Sequence, residues 1–115
     1  MEGTKVKIFN ENWEVLFKPQ KEIREDIKSE YDETKEFGRY YGATIYSRNA
    51  ILIDKNLCTE RKKRVLAHEV MHAILYVTAT EREEYTTEDV CEIMAKYHED
   101  LAKITDNVEL ERVEK

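Results

Sequence analysis

The segment His68-Glu69-Val70-Met71-His72 is where residue type and spacing carry chemistry. Residues four apart on a helix project from one face. His68 and His72 can therefore bring two imidazoles to one Zn2+ at about 2.0–2.1 Å. Glu69, beside the first of them, reaches the open coordination position. There it can take a proton from an activated water and pass it to a leaving amine. The chemistry predicted is metal-assisted hydrolysis of a peptide bond. An H-E-x-x-H string arises by chance in under about 1% of chains this long. Its apolar surroundings (Val65, Leu66, Ala67, Val70, Met71, Ala73, Ile74, Leu75) would make two histidines and a glutamate costly to bury without partners. A pair of ordinary core or surface histidines is the weaker reading.

A catalytic zinc site takes a third protein ligand and keeps one position open. Glu88, in Thr86-Thr87-Glu88-Asp89-Val90-Cys91-Glu92, is the first candidate. Glu92, four residues on and on the same helical face, is expected to hydrogen-bond a ligating histidine through its other ring nitrogen and fix its tautomer. The reverse assignment, Glu92 as ligand and Glu88 as helper, is the nearest rival. His98 is a weaker competitor, ten positions after Glu88 and more readily a surface histidine. Tyr46, Tyr85 and His98 are conceivable donors to an oxyanion, although tyrosines more often pack. Cys58 and Cys91 are not spaced as a zinc knuckle and read as small, partly buried residues with free thiols.

These side chains need elements to carry them. Lys5–Phe9 and Trp13–Lys18 read as strands of a hairpin about a turn at Asn10-Glu11-Asn12, ended by Pro19. Gln20–Glu36 reads as a short, exposed helix with Ile23, Ile27 and Tyr31 on one face, closed by Phe37-Gly38. Ala43–Tyr46 and Ala50–Asp54 read as strands about a turn at Ser47-Arg48-Asn49. A helix is predicted from about Thr59, its candidate N-cap, to Val77. A second starts near Thr87, which can cap it, with Glu88 and Asp89 in its first turn, where the dipole favours acids, and runs to about Ile104. In it, small Cys91 and Ala95 would allow close approach to the first helix, and Val90, Met94, Tyr97, Leu101 and Ile104 form a core-facing stripe. The charged tail 105–115 reads as frayed or disordered.

At 115 residues the chain is one domain, residues 1–115, with its core at about 4–104. A net charge of −6 argues against general affinity for nucleic acid. The basic run Arg61-Lys62-Lys63-Arg64 reads as the solvated start of a helix. No apolar run reaches membrane-spanning length, and the N-terminus has no signal-like apolar stretch. With two cysteines and no disulfide framework, a reducing, cytoplasmic setting is expected.

The run Gly42-Ala43-Thr44, then Ala50-Ile51-Leu52-Ile53-Asp54, then Val65 to Ile74 through H-E-x-x-H, then Glu88 to Ala95, resembles the small ImmA/IrrE-like, gluzincin-type metallopeptidases, many of them from phages and mobile elements. The resemblance spans residues 4 to about 104 and implies a zinc site of two histidines and a glutamate. The family's acid is followed four positions on by a polar residue, usually Asn. Here that position is Glu92, a departure that touches the histidine's orienting contact and not the metal site. Members with known roles cleave or control transcriptional repressors, which makes a regulatory protein the implied substrate.

The expected fold is α+β: a small, mainly antiparallel twisted sheet packed on a two-helix H-E-x-x-H metal platform. His68, His72 and Glu88 would hold Zn2+, Glu69 would act as base and then acid, and a peptide or protein would be the substrate. Were the strand at residues 50–55 a sheet edge, it could hold an extended peptide by strand addition. The main alternative is a metal-binding interaction or regulatory module without turnover. Retention of Glu69 speaks against it, since zinc binding does not require that residue. A purely structural zinc site would need a fourth protein ligand, such as His98.

Overall fold

The computed structural model describes residues 3–31 and 41–110. In order, these form β1 (Thr4–Ile8), β2 (Glu11–Lys18), α1 (Gln20–Tyr31), β3 (Gly42–Ile45), a 3-10 turn (Tyr46–Arg48), β4 (Ala50–Asp54), α2 (Thr59–Val77) and α3 (Thr87–Asp106). The four strands make one sheet in the order β1-β2-β4-β3. β1 and β2 pair antiparallel, β2 and β4 parallel, and β3 and β4 antiparallel. The fold is α+β, as expected, but its sheet is covered on both faces.

On one face, Val6, Ile8, Trp13, Val15, Ile51 and Ile53 pack with Leu66, Val70, Ala73 and Ile74 of α2 and with Tyr97 and Ile104 of α3. On the other, Ala43, Ile45, Ala50 and Leu52 pack with Ile23 and Ile27 of α1. α1 is therefore an amphipathic helix closing the second face, not the exposed helix expected. Its i, i+4 pair, Ile23 and Ile27, is buried. The side chain of Tyr31, residues 32–36 and the expected helix end at Phe37-Gly38 lie outside the described residues.

β4 is buried at all five positions. A continuous apolar run without alternation suits a strand covered on both faces. β4 also has β2 on one side and β3 on the other, which removes the expectation that residues 50–55 form a peptide-binding edge. β3 takes the outermost place. Its side chains alternate: Ala43 and Ile45 join the α1 cluster, and Thr44 between them meets α2.

The helix ends also differ from expectation. α2 is preceded by Cys58, which makes no side-chain cap, and Thr59 is its first helical residue. Its C-terminus closes by two bonds: Ala79 N–H donates to Tyr76 O at 3.2 Å and Thr80 N–H to Leu75 O at 2.8 Å. That 5→2 and 6→1 pair is a Schellman motif, which needs a left-handed residue past the last turn. Ala79 supplies it at φ 57°. Thr86, not Thr87, caps α3: Asp89 N–H donates to Thr86 Oγ1 at 3.0 Å, and Thr86 N–H to Asp89 Oδ2 at 3.0 Å. The two form a reciprocal capping box. Hydrogen bonds from the Thr78 and Thr80 hydroxyls to the Tyr97 phenol oxygen tie the connection between α2 and α3 to α3, and the Thr78 bond leads in holding the phenol's pKa below its ordinary value.

The core stripe of α3 is Tyr97 and Ile104, with Ile93 and Leu101 partly buried. Val90 and Met94, expected in it, are exposed at 50% and 45%. Cys91 and Ala95 are also exposed, so the small side chains do not set the approach of α3 to α2. Cys58 is exposed as well, and both thiols are free. Helix α3 runs to Asp106, and Val108 beyond it is buried, so the first part of the supposed tail joins the core. Residues 111–115 of that tail lie outside the described residues. Among the described residues, no helix is long and apolar enough to cross a membrane.

Two consequences of the helix ends can be measured. Left-handed backbone costs a residue with a Cβ about 1–2 kcal/mol, partly offset by the extra freedom a glycine brings to the unfolded chain. Ala79→Gly is expected to stabilise the protein by about 0.5–1 kcal/mol in urea denaturation; an unchanged or lower midpoint would contradict the strain. Hydrogen bonds from Thr86, backbone first, hold the Asp89 carboxyl below the usual aspartate range. A folded-state value below the unfolded one stabilises fully above the unfolded value and is lost as pH falls through the folded one. Asp89→Asn should therefore be less stable than wild type at neutral pH, and the two should converge below the ordinary aspartate range. A difference that persists undiminished in acid would remove the charge from the account.

Candidate active site

Helix α2 has no glycine or proline, and its buried positions, Leu66, Glu69, Val70, Ala73 and Ile74, recur at spacings of three and four. This period puts one face against the sheet. Glu69 lies on that buried face and is 8% exposed. His68 is one residue earlier, about 100° round the helix at 3.6 residues per turn, and its side chain is 67% exposed. His72, one turn on, is half-buried. The two imidazole rings lie 4.9 Å apart between centroids, edge to face. Two imidazoles thus stand at the solvent border of the helix, with a carboxylate just beneath them.

That carboxylate is held from β3. The Thr44 hydroxyl lies 2.7 Å from Glu69 Oε1 and 3.1 Å from the Glu69 main-chain carbonyl. The other carboxylate oxygen, Oε2, lies 4.0 Å from His68 Nε2. Gly42 permits this approach. A Cβ there would come within 2.5 Å of Val65 Cγ1, 3.0 Å of Leu52 O and 3.2 Å of Glu69 Cγ. The first distance is too short for a side chain, the second is tight against a main-chain atom, and Val65 is stiff about χ1 on its helix. Gly42 and Thr44, two apart on a strand, both face α2.

The acids of α3 are placed differently. Glu88 and Glu92 are both exposed. Among the described residues, no group of three or more His, Cys, Asp or Glu side chains is arranged to hold a metal ion. In donor chemistry, the imidazole pair fits two places of a zinc site, with Glu69 beside it in the base position. A third donor is not drawn in. His98 is exposed, with Nδ1 on the Met94 carbonyl at 2.9 Å. Tyr46 packs on Tyr76 at 4.6 Å between ring centroids, and its hydroxyl lies 3.5 Å from Glu81 Oε2. The Tyr85 hydroxyl accepts from Arg82 N–H at 3.1 Å and faces the Thr80 carbonyl at 3.4 Å. These contacts tie each of the three candidate oxyanion donors to a neighbour. A cavity of about 480 Å3 between Lys63, Arg64, Ala67, Thr105 and Val108 contains none of His68, Glu69 or His72.

Sequence reasoning missed Gly42 and Thr44 as parts of the site. A faint signal was present: in Gly42-Ala43-Thr44-Ile45 the apolar residues alternate with a glycine and a hydroxyl. That pattern gives one apolar face and one face able to approach a polar group closely.

No curated protein and no solved structure matches the chain. A family model does, that of the peptidase-family IrrE N-terminal-like domain, over residues 14–102. The match runs from β2 through the imidazole pair and Glu69 to the last turns of α3, and by it the chain belongs to the IrrE N-terminal-like family of peptidases.

Proposed function

We propose that the protein is a zinc-dependent peptidase acting on a peptide or protein substrate, with His68 and His72 as metal ligands and Glu69 as general base and then general acid. The observation that carries this reading is the disposition of Glu69. A carboxylate on the buried face of α2 has one oxygen held by Thr44 and the other 4.0 Å from the ring of His68. Simple metal binding needs no such group. Membership of a peptidase family supports the same reading.

Glu88 is the third ligand in this proposal, and Glu92 orients a ligating histidine. Both are carboxylates on the first turns of α3, the element that follows the imidazole pair in the chain. A bound zinc ion would supply Lewis-acid polarisation and bring the pKa of water to about 7. The chain's own residues do the rest. His68 and His72 present neutral imidazole nitrogens. Glu69 accepts a proton from the attacking water at Oε2 and delivers it to the departing amine. A metal-binding module without turnover is the second reading, and the exposure of Glu88 and Glu92 is what favours it.

Bound zinc and peptide hydrolysis, measured for wild type, Glu69→Gln, Glu88→Ala and Glu92→Ala, test the proposal. Glu69→Gln should keep its zinc and lose a factor of about 10² to 10⁴ in turnover. Glu88→Ala should lose most of its zinc affinity, and Glu92→Ala about 10- to 100-fold of it. If the wild type has no affinity for zinc, the proposal fails. If it binds zinc but hydrolyses no better than Glu69→Gln, the module reading replaces it.

A further inference from the structure

The zinc-peptidase reading names a base but does not say what aims it. Glutamate has three rotatable bonds, and a carboxylate that misses the reacting proton by about 1 Å can cost on the order of 10²-fold in rate. We propose that Thr44 is the positioning residue of Glu69: its hydroxyl pins one carboxylate oxygen so that the other faces the ring of His68. The inference rests on the reading of Glu69 as the base.

Three observations carry it. First, the contact is short and dry. The Thr44 hydroxyl is 2.7 Å from Glu69 Oε1, Thr44 is 4% exposed and Glu69 8%. Second, the two oxygens are differentiated. Oε1 is engaged by Thr44, and Oε2 lies 4.0 Å from His68 Nε2. Third, the donor is rigid and its distance is set by the backbone. Thr44 is β-branched, with restricted χ1, and β3 is tied to β4 by the register Thr44↔Ile51. Gly42, on the same face of β3, leaves room for the Glu69 side chain and for α2, where a Cβ would stand 3.2 Å from Glu69 Cγ. A hydroxyl also suits the task in kind. Being neutral, it orients the carboxylate without the competing charge that lysine or arginine would bring to a group that must take up a proton.

A threonine that merely satisfied a buried helix carboxylate would affect stability alone. Aiming the base makes a sharper demand. In the zinc-loaded full chain, with a fluorogenic peptide library as probe, Thr44→Val should lower kcat about 10- to 100-fold. KM and zinc affinity should stay at the wild-type values, and Thr44→Ser should recover most of kcat. In the metal-free protein, the loss of urea resistance caused by Thr44→Val should shrink in a Glu69→Ala background, because the partner is already gone. Should Thr44→Val not fold, Thr44→Ala and Thr44→Ser carry the comparison, with Ala impaired and Ser active.

Wild-type kcat in the folded Val or Ala variant, with the wild type active, overturns the positioning role and leaves the peptidase reading standing. Additive losses in the metal-free cycle overturn it as well, whatever the activity. Failure of the wild type to cleave any peptide of the library overturns both.

Discussion

Glu69 places a carboxylate on the side of α2 that packs against the sheet. A charged group removed from water is destabilising by several kcal/mol unless hydrogen bonds replace its hydration. Much of the surrounding architecture can be understood from that constraint. The compensating hydroxyl comes from Thr44 on β3. It can reach only because Gly42 lets the strand come close to Val65 and Glu69. β3 in turn is held by β4, whose side chains are buried on both faces. That second face is closed by Ile23 and Ile27 of α1. A helix remote from the imidazoles thus supports the strand that holds the carboxylate between them and the sheet.

Helix periodicity supplies the complementary half. Adjacent residues on a helix point about 100° apart. In His68-Glu69 this sends one side chain toward solvent, 67% exposed, and the next into the packed interface. His72 returns to the face of His68 one turn later. In the proposed reading, two groups that would need access to a metal and one that would need to be held still all come from the five residues 68–72 of one helix. The same helix is anchored by Leu66, Val70, Ala73 and Ile74, so the site borrows its rigidity from the core.

Sequence patterning disclosed the elements that carry this arrangement, and it failed where tertiary context decides. The imidazole pair and its carboxylate were legible because a helix converts spacing into direction without reference to anything else. The order of strands and helices was legible for the same reason. The placement of residues 50–54 was not, although the run Ala50-Ile51-Leu52-Ile53 held the clue: it lacks the alternation of a strand with one wet face. The apolar stripe of α3 was drawn one turn too far toward its N-terminus. Val90 and Met94 share a helical period with Tyr97 and Leu101, but α3 engages the core only from about Ile93 onward. The cap of α3 was misplaced by one residue because threonines stand in tandem at 86 and 87, and only the backbone reveals which one has left the helix.

The partner of Thr44 was illegible for a deeper reason. Nothing in a four-residue strand 25 positions upstream names its partner on a later helix. Such a contact is set by how β3 and α2 dock, and docking depends on the whole sheet. A hydroxyl at this place differs from a bulky apolar residue in what it permits as much as in what it donates. It can give a proton to a carboxylate oxygen or receive one from a carboxyl group. It therefore remains a partner whichever form Glu69 takes, and the second acceptor within reach, the Glu69 carbonyl at 3.1 Å, can take the hydroxyl proton when Oε1 does not need it. Under the proposed mechanism Glu69 would cycle between base and acid, and such a group is best held by a neighbour that does not need to move when it does.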